Sequence, residues 1–114
     1  MTKKFDLEER MAKFGENIIE LAKSLPKDSI NNPLINQLVR SATSIGANYM
    51  EANGAESKKD FLHKVHICKK ESKETMHWLR MLAKANKNII AQCRDLWQEA
   101  KEFTLIFAKI FQSR

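Results

Sequence analysis

Four stretches of this chain repeat apolar residues at the three-and-four spacing of an α-helix, with three short breaks between them. The first stripe is Leu7, Met11, Phe14, Ile18, Leu21 and Leu25. The second is Ile35, Leu38, Ala42, Ile45, Tyr49 and Ala52. The third is Phe61, Val65, Cys68, Ser72, Thr75, Leu79 and Leu82. The fourth stretch carries two stripes side by side. Cys93, Trp97, Ala100, Thr104, Phe107 and Phe111 make one, and Leu96, Phe103, Ile106 and Ile110 the other. Nowhere does the chain alternate with the period of two that a half-buried strand needs.

The breaks carry their own chemistry. Leu25-Pro26-Lys27-Asp28 ends the first helix, because proline disfavours helical backbone in the residue before it. Asn32 has the character of an N-cap, with Pro33 at the first helical position. Asn53-Gly54 reads as a helix C-cap. Ser57, with Asp60 three residues on, has the spacing of a capping box. Asn86-Lys87-Asn88 is the last break. These signals predict helices over about 6–25, 33–53, 58–85 and 89–112. Four helices of similar length with short links predict an all-α, antiparallel up-down-up-down bundle. With only three glycines and two prolines in 114 residues, and no internal repeat, residues 1–114 read as one domain with one modest core.

The two stripes of the fourth helix together cover about half its circumference, more than the ~100° that one core face needs. The third helix likewise has Ile67, Trp78 and Met81 outside its core stripe. Surplus apolar surface of this kind predicts self-association, and a central helix well wrapped by its neighbours in a small bundle is the alternative.

Opposite the third core stripe runs a set of a different kind. Lys59, His63, His66, Lys70, Lys73, His77, Arg80 and Lys84 follow one another at spacing 4-3-4-3-4-3-4, with no acid among them. At ~1.5 Å per residue this ridge extends about 37 Å. Residues 57–85 have a net charge of +5, out of +6 for the whole chain. The three acids of that stretch, Asp60, Glu71 and Glu74, project elsewhere on the helix. A long positive face suits a polyanion such as RNA or DNA, bound through phosphates without sequence preference. No aromatic residue interleaves with the ridge along the helix, so base stacking is not expected. A lysine-rich helix face also keeps a protein in solution, and that plainer reading stands beside the first. The three histidines would add charge on mild acidification. A zinc site is not expected, because no second carboxylate or thiolate joins them and the lysines repel a cation.

A polar stripe flanks the core seam. Ser41, Ser44, Asn48 and Glu51 on the second helix, with Glu71 and Glu74 on the third, predict an interhelical or intersubunit polar network that fixes register. No histidine stands at helical spacing to activate Ser41 or Ser44, and no nucleophile–base or metal set appears, so neither catalysis nor a cofactor is expected. Cys68 and Cys93 lie on core stripes and read as buried free thiols. The N-terminal residues have no apolar run of signal-peptide length, and no segment approaches the ~20 apolar residues of a membrane span. A cytoplasmic protein without a membrane partner is the expectation.

The segment Arg40-Ser41-Ala42-Thr43-Ser44-Ile45-Gly46-Ala47-Asn48-Tyr49-Met50-Glu51-Ala52 resembles the second-helix signature of a bacterial four-helix bundle family. That family was first noticed as reading frames within intervening sequences of large-subunit ribosomal RNA genes. Ala55-Glu56-Ser57-Lys58-Lys59-Asp60-Phe61 resembles the turn that follows, and Glu71-Ser72-Lys73-Glu74-Thr75 with Trp78-Leu79 resembles the third-helix motif. The resemblance implies a bundle assembled into a ring, a pentamer in similar proteins, with no known catalysis. It matches the family's recurrent positions to Ser44, Asn48, Glu51 and Glu74, read here as structural. A related branch serves as accessory protein to the reverse transcriptase of diversity-generating retroelements and binds nucleic acid through a basic surface. The resemblance thus implies RNA, DNA and a nucleic-acid enzyme as partners, beside further copies of the chain itself. The other reading that remains is a protein–protein scaffold with no nucleic-acid role.

Overall fold

The computed structural model describes the backbone of residues 4–113 and the side chains of residues 6–113. Four α-helices and one short 3-10 turn follow one another, with no strand among the described residues. They are α1 (Lys4–Ser24), α2 (Asn31–Asn53), α3 (Lys58–Ala85) and α4 (Ile90–Gln112), with the turn at Lys87–Ile89. The span of 1–114 expected for one domain also takes in Met1, Thr2, Lys3 and Arg114, which lie outside the described residues.

Each helix packs the stripe its sequence marks. All six residues of the α1 stripe and all six of the α2 stripe are buried. In α3 the stripe is buried from Val65 to Leu82, and Phe61 is half-buried at its start. α2 packs broadly on α3, α3 on α4 and α1 on α2, while α1 and α4 meet over a shorter seam. Phe14 of α1 meets Phe103 of α4 edge to face at 5.3 Å between ring centroids. Such a pair adds ~0.5–1.5 kcal/mol beyond the burial of its area. Tyr49 of α2 lies 5.9 Å from Phe107 of α4, so the core is continuous across the molecule.

α4 hides both of its apolar stripes in part within one chain. Phe103, placed on the surplus stripe, is wholly buried. Leu96, Ile106 and Ile110 are half-buried and packed against the core. The reason is that α4 is wrapped by α3 on one side and α1 on the other, so it uses a wider apolar arc than one core face. Among the described residues the most open large apolar side chains are Ile30 and Met50, each 61% exposed, and Leu105 on the outer side of α4, 59% exposed.

The helix ends also differ in detail. α2 starts at Asn31, and its N-cap position is Ile30, which has no side-chain capping bond. The cap comes from further back, since Asp28 Oδ1 accepts the backbone N–H of Ile30 at 3.0 Å and of Asn31 at 2.7 Å. Asn32, expected as the cap, is an exposed residue already inside the helix. Ser57 does cap α3, its hydroxyl accepting the Asp60 N–H at 3.0 Å. Asn31 is instead a buried tie. Its side-chain amide exchanges two hydrogen bonds with that of Asn86, at 3.0 and 2.9 Å, joining the α1–α2 link to the α3–α4 link.

Candidate nucleic-acid interface

α3 is 28 residues long, about 42 Å at ~1.5 Å per residue, and the molecule's longest dimension is 44 Å. The helix therefore runs the length of the protein. Its inward face is buried at Val65, Cys68, Ser72, Thr75, Leu79 and Leu82. That burial fixes the roll of the helix, and the roll turns the basic ridge outward. Lys59, His63, His66, Lys70, Lys73, His77, Arg80 and Lys84 are all exposed. Among the described residues none of the eight takes part in an ion pair. The charges of Lys59, Lys70, Lys73, Arg80 and Lys84 are thus available to an outside anion.

The acids of α3 are dealt with on another side. Arg40 of α2 reaches Glu74 at 2.6 Å and the buried Glu71 at 3.3 Å. A guanidinium suits this task because its fork can serve two carboxylates at once. Asp60 sits in the first turn of α3, where a negative charge complements the helix dipole. The acids therefore stay off the ridge.

Within one chain the polar stripe makes four sets of contacts, of which the Arg40 pairs with Glu71 and Glu74 are one. Ser41 is fully buried, and Thr75 Oγ1 lies 2.9 Å from its hydroxyl across the α2–α3 seam. Ser44 and Asn48 turn back on their own helix, donating to the carbonyls of Arg40 at 2.6 Å and Ser44 at 2.8 Å. A Ser or Asn side chain in mid-helix readily finds such a local carbonyl. Glu51 is exposed and pairs with Lys64 at 2.6 Å. Sequence reading missed Arg40 as the hub, because the spacing within α2 says nothing of what α3 brings opposite. It also missed the Arg10 clamp, in which one guanidinium of α1 holds Glu99 and Glu102 of α4 at 2.7 Å each and lies 5.2 Å from the Phe103 ring centroid.

The ridge has aromatic neighbours: Trp78 of α3 lies edge to face with His77 at 4.8 Å, and α4 supplies others. His66 meets the Phe111 ring edge-on at 6.0 Å. Further along, Arg80 shares a groove with Arg94 and Trp97, and the Lys101 ammonium lies 5.5 Å from the Trp97 ring centroid. Phe111 and Trp97 are remote in sequence from the ridge, so a reading along α3 alone passes over them. The buried indole N–H of Trp78 has no hydrogen-bond acceptor among the described residues.

Both cysteines are buried and free. Burial pushes the Cys68 thiol up to about 12 and the Cys93 thiol up to about 11. Neither is a nucleophile at neutral pH. Among the described residues no three His, Cys, Asp or Glu side chains gather as a metal site.

Fold and surface together define an all-α protein of four helices that exposes a line of Lys, Arg and His side chains along its longest helix. The chain belongs to the 23S rRNA-intervening sequence protein family, whose model matches residues 3–109. It is similar to a crystal structure from Bacteroides thetaiotaomicron, described as a protein of unknown function from the S23 ribosomal protein family. The identity is 29%, the TM-score 0.86, and the match covers 96% of this chain and 97% of that one. Comparison with curated proteins found no match.

Proposed function

We propose that this protein is a non-catalytic homo-oligomer that binds nucleic acid through the α3 ridge, as an accessory to a nucleic-acid enzyme. The observation that carries the reading is the exposure of all eight ridge residues with none of them held in an ion pair. A surface that only maintained solubility would do as well with mixed signs. Here Arg40 draws Glu71 and Glu74 aside, and the ridge field stays of one sign.

The assembly we infer is an antiparallel bundle in a ring, a pentamer by the family resemblance. Cross-helix partners support the antiparallel pairing of α2 and α3. They run from Asn31 with Asn86, through Ser41 with Thr75, to Glu51 with Lys64, so that advance along α2 is retreat along α3. The open Met50 and Leu105 side chains and the unmatched Trp78 N–H support contact with further copies. A ring would repeat the ridge by symmetry and add its fields. Among the described residues no helix is long and apolar enough to cross a membrane.

Salt dependence tests the reading. Affinity for a labelled duplex, followed by fluorescence anisotropy, should fall steeply as salt rises. Neutralising Lys70, Lys73, Arg80 or Lys84 singly should flatten the log–log slope by about one unit each. Absence of binding at low salt would leave the protein–protein scaffold as the better account.

A further inference from the structure

We infer that the groove between α3 and α4 seats an unpaired nucleobase against Trp97, so that the protein prefers single-stranded segments to duplex. This rests on the nucleic-acid reading of the ridge and adds to it a second kind of contact.

The groove has a volume of about 580 Å³, within the ~300–1,000 Å³ of ordinary ligand pockets. Arg80 and Ala83 line it from α3, and Ile90, Arg94, Trp97 and Gln98 from α4. Trp97 is only half-buried, and Arg80, Arg94 and Gln98 are exposed at its rim. The exposed Lys101 ammonium, one turn on along α4, lies over the Trp97 ring at 5.5 Å from its centroid, and a base stacking on that face takes its place.

The chemistry of this set is that of a nucleotide. A flat π-surface accepts a base by stacking whatever its identity, because every base has a π-face. Two guanidinium groups stand beside it to meet the flanking phosphates, in a geometry that suits phosphate oxygens. The Gln98 amide offers a donor and an acceptor to a base edge. An apolar peptide would find Ala83 and Ile90 congenial but would leave two arginines unmatched, and a simple anion would have no use for the indole.

Position links the groove to the ridge. Arg80 belongs to both. Packed helices lie about 8–10 Å apart, a span that one nucleotide bridges from phosphate to base. A strand following α3 by its phosphates can therefore turn a base inward at Arg80. A paired base cannot make that turn without leaving its helix.

The test is anisotropy with labelled oligo-dT, oligo-U and a duplex of equal length, at one low salt concentration. The variants are Trp97→Leu and Trp97→Phe, and the assembly mass is checked by light scattering. Trp97→Leu should lower single-strand affinity roughly 5- to 150-fold, the value of one stacked base, and leave duplex affinity and salt slope unchanged. Trp97→Phe, which keeps a stacking ring, should retain most of it. In a Trp78→Phe background, the emission that remains comes from Trp97 and should be quenched by oligo-dT or oligo-U. Comparing the two strands tells DNA from RNA. Equal losses for duplex and single strand, no loss at all, or a Trp97→Leu chain whose assembly mass changes would overturn the inference, the last because a second copy would then fill the groove. Wild-type protein that binds neither form fails the ridge reading itself, whereas duplex binding without a Trp97 effect fails only the groove.

Discussion

Cys68 is held at the centre of the bundle, its Sγ 3.6 Å from the Ile45 carbonyl oxygen and none of its surface exposed. Burial raises its pKa from the ordinary 9.0 and raises that of Cys93 likewise, which sets the sign of a pH effect. A thiol whose folded pKa is raised favours the fold while it is neutral, and the unfolded chain ionises first as pH rises. The contribution is therefore complete below about pH 9 and is lost as pH climbs toward the raised values of about 12 and 11. Tyr49, pushed up chiefly by its own burial, acts in the same direction. Two outcomes are expected. A thiol reagent should label the native protein slowly and the urea-unfolded protein at once, and the urea midpoint should drop between pH 8.5 and pH 10.5. Rapid stoichiometric labelling of the folded chain would contradict the packing of both residues. The burial of these thiols was legible from stripe position alone. The Asn31–Asn86 tie was not, because both residues carry the ordinary signature of a helix end and their pairing spans 55 positions.

At the scale of the element, the helices themselves were plain in the sequence, and α3 begins and ends where its caps and breaks place it. A period of 3.6 repeated over several turns leaves few alternatives. Ends are settled by single hydrogen bonds, and there α2 departs from expectation. The Asn32-Pro33 pair carries the composition of a helix start, yet the Asp28 carboxylate reaches forward and starts the helix two residues earlier. Asp28→Ala should accordingly cost about 1 kcal/mol, the usual value of a lost N-terminal cap, while Asn32→Ala should change stability by only a few tenths. Urea denaturation of the two variants decides between the caps, and the reverse order would restore Asn32. α4 is a different case. How much apolar arc a helix hides depends on how many neighbours wrap it, and no single helix carries that count in its own sequence. The aromatic company that α4 gives the ridge was hidden in the same way, since Trp97 and Phe111 reach it from another helix.

Across the whole molecule, charge and core are arranged about one helix. α3 carries most of the net positive charge of the chain on one side and meets both α2 and α4 on the other. The ridge could be read from spacing because its orientation follows from the core stripe. Spacing also set Glu71 and Glu74 off the ridge, but not their partner, because Arg40 sits on a different helix. The 28 residues of α3 also mean that a ligand lying on the ridge touches nearly every turn of the helix around which the core is built. Those turns keep the ridge in register only while Val65, Cys68, Leu79 and Leu82 stay packed. Occupancy and folding then become a single equilibrium. A polyanion should raise the melting temperature in proportion to the logarithm of its concentration, and added salt should erase the gain without altering the melting of the free protein to the same degree. The molecule would thus be sturdiest where its ligand is abundant, and its heat resistance would report how much of the ridge is in use.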